Sequence, residues 1–310
     1  MAKVLVTGGA GFIGSHLVDL LLHDGREVRV LDDLSSGKID NLPIDNPKLE
    51  FMQGSIEDCN CVETACINVS DVVHLAALVS VPVSIQQPAK SASINLLGFL
   101  NVLNQLRSQD FKGRFIYASS SAVYGGEQRT AQPLREVDAP GQLLSPYAVD
   151  KYANELYANL YADLFGLSTL GFRFFNVYGP RQDPSSDYSG VISIFMDRTS
   201  RGEQIGIYGD GEQVRDFVYV GDLVKMLRQG IASSYQGVLN IGTGTAISIN
   251  RLAELMKIVY DRDAPVVHLP ARAGDILYSC ADIKMLQNIL GDKPETSLNE
   301  GLCKLKEWLS

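Results

Sequence analysis

The sequence has few cysteines, few histidines and no excess of positive charge, and each shortage argues against a class of protein. Its five cysteines are an odd number, and Cys59, Cys61 and Cys66 cluster on a predicted helix without histidine partners. Free thiols are therefore favoured over a disulfide framework or a metal site. A formal net charge of −9 leaves no basic stripe for a nucleic-acid backbone. We expect no metal and no nucleic acid.

Long hydrophobic runs are also missing. The apolar stretches stop well short of the length that crosses a bilayer, so a membrane protein is not expected. Residues 1–7 lead directly into the first predicted strand, and we therefore expect no signal peptide and a cytoplasmic protein. A length of 310 residues predicts two lobes with ample core.

A glycine-rich turn stands near the amino terminus. An apolar run with β-branched residues at 3–7 is followed by Gly8, Gly11 and Gly14, in the spacing G-x-x-G-x-x-G, and then by an amphipathic stretch. This pattern predicts a strand, a tight turn and a helix. Gly8 permits the turn, Gly11 lets the backbone approach a pyrophosphate, and Gly14 lets the helix pack on the strand. The pattern indicates a dinucleotide site.

Asp32 ends the second predicted strand, where a carboxylate can accept hydrogen bonds from both ribose hydroxyls of an adenosine. Asp33 and Leu34 follow it, with no adjacent arginine to hold a 2′-phosphate. An aspartate that only caps the following loop is the alternative, and it fits the preceding glycine pattern less well. The sequence therefore favours NAD over NADP.

Tyr147 and Lys151 stand four residues apart on a predicted helix. Residues at this spacing share a helix face, so the ammonium can lie near the phenol and favour its ionised form. A tyrosine, which titrates near about pH 10, would then become a usable base. The spacing alone more often describes a packed ring and a solvated charge. The serines at 119–121 and the glycine pattern upstream favour hydride chemistry.

Strands and helices alternate over most of the first 176 residues, which predicts an α/β fold with a doubly wound parallel Rossmann sheet. A turn-rich link then leads into a smaller α+β substrate-binding lobe. Strands are predicted at 3–7, 27–31, 49–53, 71–76, 114–119, 168–174 and 237–241, and the longer helices at 12–24, 90–108 and 147–164. The predicted domains are 1–176, with a return at about 216–247, and a second lobe of 177–215 and 248–310.

Eight segments carry a family resemblance: 7–14, 32–33, 74–77, Asn95, 119–125, 147–151, 173–180 and 214–217. In this order and spacing, the chain resembles an extended short-chain dehydrogenase/reductase (SDR). Within that superfamily it resembles the UDP-hexose 4-epimerases, and in particular the bacterial UDP-N-acetylglucosamine 4-epimerases. The resemblance spans nearly the whole chain. One departure is Ser55, because the family usually has an aspartate there that contacts adenine.

The resemblance implies catalytic roles for three residues. Tyr147 would be the base, Lys151 would set its pKa, and Ser121 would relay the proton of the reacting sugar hydroxyl. NAD would oxidise C4, the 4-keto sugar would rotate, and the hydride would return to its other face. Dehydratases and decarboxylases of the superfamily carry carboxylates at the segment matching Ser121 and Ala122, so epimerisation is favoured. The predicted cofactor contacts are Gly8, Gly11, Phe12, Ile13, Asp32, Asp33, Ser55, Ile56, Leu75, Ala76, Ala77, Asn95, Ser119, Tyr147, Lys151 and Phe174.

Most substrate contacts implied by the resemblance lie in the second lobe. Arg215 and Arg272 match arginines that bind the diphosphate, for which a planar guanidinium is suited. A surface ion pair is the alternative for a lone arginine, and simple core packing is the alternative for Val191 and Tyr208. The position matching Ser279 is a gate, where a small side chain leaves room for an N-acetyl group. The predicted substrate contacts are Ser121, Asn176, Val191, Tyr208, Arg215, Arg272, Asp275 and Ser279.

These implications predict a UDP-N-acetylglucosamine 4-epimerase that interconverts UDP-GlcNAc and UDP-GalNAc, with UDP-glucose and UDP-galactose as a further pair. UDP-GalNAc supply for polysaccharide biosynthesis is the corresponding role. Within enzymes, the alternatives are a UDP-glucose or UDP-glucuronate 4-epimerase and, behind it, a net oxidoreductase that releases NADH. A non-catalytic NAD-binding scaffold or sensor is the alternative outside enzymes. Related enzymes pair the helices near 90–108 and 147–164, so we expect a homodimer.

Overall fold

The computed structural model describes residues 3–126, 132–183, 190–271 and 276–309. These residues divide into two compact units. The first contains the described residues of 1–123, 145–173 and 224–239, and the second those of 124–144, 174–223 and 240–310. Among the described residues, no helix is both long enough and apolar enough to cross a membrane.

Strands and helices alternate in chain order. The strands are β1 (Lys3–Thr7), β2 (Val28–Asp32), β3 (Leu49–Gln53), β4 (Val69–His74), β5 (Arg114–Ser120), β6 (Ser168–Phe174), β7 (Asn176–Tyr178), β8 (Ile205–Tyr208), β9 (Val214–Arg215), β10 (Phe217–Tyr219), β11 (Gly237–Ile241), β12 (Ile247–Ser248), β13 (Val266–Leu269) and β14 (Tyr278–Ser279). The α-helices are α1 (Phe12–His23), α2 (Cys59–Cys66), α3 (Val81–Gln86), α4 (Pro88–Ala92), α5 (Gly98–Ser108), α6 (Pro146–Phe165), α7 (Val191–Arg201), α8 (Val220–Ala232), α9 (Ile249–Tyr260), α10 (Lys284–Leu290) and α11 (Leu298–Leu309).

The sheet of the first unit has seven strands in the order β11-β6-β5-β4-β1-β2-β3. β1 pairs in parallel with β2 on one side and with β4 on the other, so the winding direction reverses at this point. In open parallel sheets, ligands bind at the carboxyl ends of the strands where the order reverses. The Rossmann architecture and all seven strands predicted from the sequence are confirmed, with ends that differ by up to two residues.

The predicted helix at 90–108 is interrupted. Its first turns are α4, its last are α5, and between them Ser93–Leu97 forms a π-helical turn. Asn95 lies at the centre of this turn and is buried. π-Turns inside helices often occur at functional sites, and this one presents an amide side chain to the interior. Hydrophobic spacing does not reveal it, because a single turn of five residues is too short to define a period of its own.

Helix α6 begins and ends where its sequence predicts. The Ser145 hydroxyl caps the helix by accepting a hydrogen bond from the N–H of Ala148, and Pro146 follows at the first helical position. Gly166 ends the helix in the left-handed conformation, with a φ of 69°. The carboxyl-terminal part of the helix packs on the core of the first unit through Ala158 and Tyr161.

The second unit has a core of its own and three small sheets. Its buried cluster includes Phe195, Met196, Leu252 and Met256, from α7 and α9. The sheets pair β10 with β7, pair β13 with β8, and place β9 between β12 and β14. In the last of these, Ser279 lies in parallel register with Arg215. Two residues predicted to bind substrate are therefore neighbours across a pair of strands.

The two compact units differ from the domain boundaries predicted from the sequence. Those boundaries assign 124–144, 174–176, 216–223 and 240–247 to the Rossmann domain, whereas these residues belong to the second compact unit. Backbone hydrogen bonds explain part of this difference. The N–H of Leu134 donates to the carbonyl of Cys280, and the carbonyl of Leu134 accepts from the N–H of Asp282. The loop that follows β5 is thereby tied to residues near the carboxyl terminus.

A buried ion pair links α6 to β6 in the first unit. The Arg173 guanidinium donates from Nε to one Glu155 carboxylate oxygen at 2.9 Å and from Nη2 to the other at 2.7 Å. Both side chains are almost completely buried. Removing one partner of such a pair leaves an uncompensated charge in the interior.

We predict that Arg173→Met lowers the free energy of unfolding by about 3–5 kcal/mol, because Glu155 would keep a buried, unpaired charge. Arg201→Met is the control, since it breaks an exposed pair with Asp197 and should cost less than about 1 kcal/mol. The double variant Glu155→Met/Arg173→Met should recover most of the loss. Urea unfolding measures all three. Equal losses in the Arg173 and Arg201 variants would contradict the assignment.

Candidate active site

The glycine turn after β1 is as tight as its sequence predicts. Gly8 has a φ of +71°, and a Cβ placed there would lie 2.7 Å from the backbone nitrogen of Ala76. A Cβ on Gly14 would lie 2.1 Å from the Gly8 carbonyl oxygen. Gly11 occupies the N-cap of α1, and Phe12 and Ile13 form its first turn. The turn therefore delivers backbone N–H groups and the positive end of a helix dipole to one place.

Asp32 lies at the end of β2 and faces this turn. Its two carboxylate oxygens accept hydrogen bonds from the N–H groups of Ala10 and Leu34, each at 2.9 Å. Burial raises the pKa of Asp32, and these two hydrogen bonds oppose the rise. A carboxylate has about four acceptor positions, so two backbone donors leave capacity for ribose hydroxyls. Asp33 is exposed, and its carboxylate accepts from the N–H of Ser35.

Sequence reasoning missed Gly37, which belongs to the same cradle. A Cβ at this position would lie 2.9 Å from Asp32 Oδ1 and 3.0 Å from the Ala10 side chain. The next residue, Lys38, donates its N–H to the Ala10 carbonyl at 3.0 Å. The loop after β2 thus folds back onto the glycine turn. The signal was available, because a glycine five residues after the strand-ending aspartate permits this close approach.

The loops after β3 and β4 carry the next predicted cofactor contacts. The Ser55 hydroxyl accepts a hydrogen bond from the N–H of Glu57, and Ile56 is buried. Leu75, Ala76 and Ala77 follow β4 directly and are half-buried. Each of these segments leaves a strand at its carboxyl end, at the same edge of the sheet as Gly8.

Asn95, on the π-helical turn, holds the backbone that follows β4. Its Oδ1 accepts from the N–H of Leu78 at 2.7 Å, and its Nδ2 donates to the carbonyl of Leu78 at 3.0 Å. The same Nδ2 lies 3.5 Å from the Asp150 carboxylate, which also accepts from the Ser91 hydroxyl at 2.6 Å. This buried network fastens the loop after Ala77 to helix α6.

Tyr147 and Lys151 lie on the first turns of α6, as their spacing predicts. The Lys151 ammonium is 5.8 Å from the centre of the Tyr147 ring and donates to the carbonyl of Ala118 at 2.9 Å. It is only 3% exposed, and burial lowers the pKa of Lys151 to about 8. The N–H of Tyr147 donates to the Ser84 hydroxyl at 3.2 Å. Both residues therefore make hydrogen bonds to elements outside their own helix.

Burial sets the electrostatics of the predicted base. It raises the pKa of the Tyr147 phenol, and the expected contribution of Lys151 to ionising that phenol stays a prediction. The group that opposes this rise is the Ser120 hydroxyl, which forms a hydrogen bond with the phenol. The Lys151 ammonium donates its hydrogen bond to the Ala118 carbonyl. Helical spacing gives proximity along a face but does not say where a flexible ammonium points.

The serine cluster divides its hydroxyls among different partners. Ser119 is buried and donates to the Glu155 carboxylate, whereas Ser120 accepts from the N–H of Ala122 at 3.2 Å. Ser121 opens a short 3₁₀ helix, Ser121–Tyr124, at the end of β5 and is half-buried. Its predicted role as a proton relay stays a prediction, as does the cofactor role of Ser119. Phe174, half-buried, is the last residue of β6.

The predicted substrate residues of the second unit lie on several of its elements. Asn176 begins β7, and its N–H donates to the Asp216 carbonyl at 3.0 Å. Arg215 Nη1 donates to the carbonyl of Ile276 at 2.6 Å. Val191 begins α7 and packs against the core of this unit, and Tyr208 ends β8 with its ring partly exposed. Arg272 and Asp275 lie outside the described residues.

Comparison with known proteins places this arrangement in a family. The family model described as the NAD dependent epimerase/dehydratase family matches residues 4–242. This chain belongs to that family. A putative UDP-glucose 4-epimerase of Methanocaldococcus jannaschii is 39% identical over 309 residues, which cover 99% of this chain and 98% of that protein.

Two solved structures of this family share the fold over almost the whole chain. The UDP-glucose 4-epimerase of Thermotoga maritima with UDP-glucose is 40% identical, with a TM-score of 0.93, and the match covers 99% of this chain and 98% of that one. The UDP-N-acetylglucosamine 4-epimerase of Methanobrevibacter ruminantium, in complex with UDP-N-acetylmuramic acid, is 39% identical, with a TM-score of 0.94 and the same coverage.

The cofactor of this protein is NAD, as in its family. The site formed by the glycine turn after β1 and the end of β2 fits NAD. The close approaches at Gly8 and Gly14 leave no room for side chains, and the N-terminus of α1 suits a pyrophosphate. Asp32 offers a carboxylate at the ribose position. The parts that would hold NAD thus come from three consecutive elements of the first unit.

We predict that Asp32→Asn weakens NAD binding by about 10- to 100-fold, as expected for a lost hydrogen bond to a charged group. The amide nitrogen would also face the N–H donor of Ala10 or Leu34. Asp45→Asn, at an exposed turn, is the matched control. NAD retained through purification, together with NAD titration of the stripped protein, gives the measurement. Unchanged affinity in the Asp32 variant would remove Asp32 from the cofactor site.

Proposed function

We propose that this protein is a UDP-N-acetylglucosamine 4-epimerase that interconverts UDP-GlcNAc and UDP-GalNAc. The coarser class, an NAD-dependent UDP-sugar 4-epimerase, follows from its family and its relatives. The finer assignment is carried by one observation. Ser279, at the proposed gate, is a small side chain that is 6% exposed and lies in register with Arg215.

The proposed chemistry uses the first unit. Bound NAD supplies the acceptor and donor of hydride at C4 of the sugar. The Tyr147 phenol takes the proton of the C4 hydroxyl through Ser121 and returns it after the sugar has rotated. The hydrogen bond from Ser120 to the phenol stabilises the phenolate that this step requires. Lys151 contributes a buried positive charge one helical turn away.

The residues after β5 support epimerisation over elimination. Dehydration or decarboxylation in this superfamily uses carboxylates at the segment of Ser121 and Ala122, whereas this chain has a hydroxyl and a methyl group there. Such side chains can relay a proton to and from an oxygen but offer no carboxylate for further acid–base steps. A reversible oxidation at C4 is the reaction that remains.

Identity to relatives does not choose the sugar. The solved structures named for UDP-glucose and for UDP-N-acetylglucosamine are 40% and 39% identical to this chain. The choice therefore rests on the side chain at the gate. A serine there leaves volume beside C2 of the sugar, whereas a tyrosine would fill it.

The proposed UDP anchors lie in the second unit. Arg215 and Arg272 would grip the diphosphate, because a guanidinium can donate two parallel hydrogen bonds to phosphate oxygens. Asp275 would bind the ribose. Asn176, Val191 and Tyr208 would flank the diphosphate and the uracil. Holding the nucleotide firmly while leaving the sugar loose is what a rotating intermediate requires.

The experiment that tests the proposed function is NMR of purified protein incubated separately with UDP-GlcNAc and UDP-glucose, with no added NAD. Anomeric and H4 signals follow each sugar. UDP-GalNAc forming faster than UDP-galactose is the expected result. Formation of UDP-galactose alone would overturn the proposal that UDP-GlcNAc is a substrate. If neither sugar changes, UDP-glucuronate is tested next, and a non-catalytic role after that.

We predict that Ser279→Tyr removes activity on UDP-GlcNAc selectively and leaves activity on UDP-glucose. The added ring would occupy the space proposed for the N-acetyl group, and such a pocket change shifts discrimination by about 1–3 kcal/mol or more. Ser279→Ala is the matched control, because it keeps the small volume and should retain both activities. The ratio of kcat/KM for the two sugars is the readout. Equal loss on both sugars would refute the gate.

We also propose a homodimer through helix α6. Val149, Leu156, Leu160 and Leu164 are exposed large hydrophobic residues, and their spacing puts them on one face of the helix. A second copy of the chain could cover this face with its own α6, because a two-fold axis pairs identical surfaces. Leu97, just before α5, is exposed as well.

Light scattering should give twice the 33.8 kDa mass of one chain. Leu156→Glu/Leu160→Glu should yield the monomer, because two carboxylates on this face would have to be buried at the interface. Ile258→Glu, at an exposed position on α9, is the control and should stay dimeric. A monomeric wild type would refute the dimer.

A further inference from the structure

Asp216 is a completely buried carboxylate next to the proposed diphosphate anchor, Arg215. Its Oδ1 accepts hydrogen bonds from the N–H of Thr243 at 2.8 Å and from the Thr243 hydroxyl at 2.7 Å. Its Oδ2 accepts from the N–H of Gly244 at 2.9 Å and from the N–H of Ala281 at 3.1 Å. Four donors from two distant segments therefore converge on one charged side chain, which the reaction itself does not use.

The segment that carries Ser279 is held on both sides. Tyr278 and Ser279 pair with β9. The Cys280 carbonyl and the Asp282 N–H bond to the backbone of Leu134 at 2.8 and 2.9 Å. Between these two bonds, the N–H of Ala281 points the other way and donates to Asp216.

The turn after β11 approaches Asp216 closely enough to require glycine. A Cβ on Gly242 would lie 2.5 Å from Asp216 Oδ2. Burial raises the pKa of Asp216, and the hydrogen bonds from Thr243, Ala281 and Gly244 oppose that rise. The carboxylate is thus solvated by the protein in place of water, and its position is determined by those donors.

We propose that Asp216 is a positioning residue that fixes the strand of Ser279 and the adjacent Arg215, so that a UDP-sugar meets a preformed site. The proposal rests on the proposed function for the roles of Ser279 and Arg215. Its physical basis is preorganisation: groups that are already immobile before binding lose less conformational freedom when the ligand arrives. Loosening the Asp216 contacts should therefore weaken nucleotide binding more than it slows the chemical step.

The test uses Thr243→Val in the whole 310-residue chain with its NAD. This variant keeps the shape of Thr243 and its backbone N–H but removes the hydroxyl that donates to Asp216. We expect the dissociation constant for UDP, measured by titration calorimetry, to rise about 10-fold. The KM for UDP-GlcNAc should rise similarly, while kcat stays within about threefold of wild type.

Two variants of the same turn serve as controls. Thr243→Ser restores the hydroxyl and should restore UDP affinity. Thr245→Val changes an exposed threonine two residues away, whose N–H donates to the Thr243 hydroxyl, and should leave UDP affinity unchanged. NAD content should be equal in all variants, since the predicted NAD contacts lie elsewhere in the sequence.

Asp216→Asn gives a stronger version of the test, because an amide nitrogen would face backbone donors. If that variant does not fold, the Thr243 series decides alone. UDP affinity within twofold of wild type in Thr243→Val overturns the proposal, as does a failure of Thr243→Ser to restore it. If wild type binds UDP and responds to Thr243→Val but does not convert UDP-GlcNAc, the proposed substrate fails while the positioning role stands.

Discussion

The parallel direction of strands β1 to β5 is the constraint on which the candidate site depends. Because these strands run the same way, their carboxyl ends meet at one edge of the sheet. The segments that leave this edge carry Gly8, Asp32, Ser55, Leu75 and Ser121. The topology brings these residues together before any side-chain contact forms. Each loop then needs only the residue type that suits its place: glycine at the turn after β1, a carboxylate at the end of β2 and a hydroxyl at the end of β5.

Helix α6 supplies the other half of the first unit's site, and buried polar groups hold it in place. The N–H of Tyr147 donates to the Ser84 hydroxyl. The Asp150 carboxylate accepts from the side chains of Ser91 and Asn95, and the Asn154 amide donates to the Asn95 carbonyl. A buried polar network stabilises an arrangement only when its members find partners. Here those partners lie in the segment between β4 and α5, so the helix with the predicted base and the loop predicted to line the cofactor form one bonded assembly.

Local features of the sequence predicted the seven strands of the first unit, the glycine turn and the extent of α6, because each depends on residues close together in the chain. Features that depend on distant partners could not be read in this way. The Asp216 carboxylate accepts a hydrogen bond from Ala281, 65 positions away, and no residue close to Asp216 in the sequence indicates that partner. The burial of Tyr147 is a second feature of this kind, because it raises the pKa of the phenol and depends on packing that the spacing of Lys151 does not reveal.

The proposed gate also has a consequence for selectivity that follows from its size alone. A small side chain at position 279 leaves space for a larger sugar. It adds no contact that is specific to that sugar, so a smaller sugar loses no interaction when it binds. Hydrophobic or steric pockets discriminate strongly against substrates that are too large and weakly against those that are too small. Ser279 would therefore permit UDP-GlcNAc without excluding UDP-glucose. If the protein accepts UDP-GlcNAc because it has a serine in place of a tyrosine at position 279, we expect it to use UDP-glucose as a second substrate. The proposed UDP anchors would bind both nucleotide sugars.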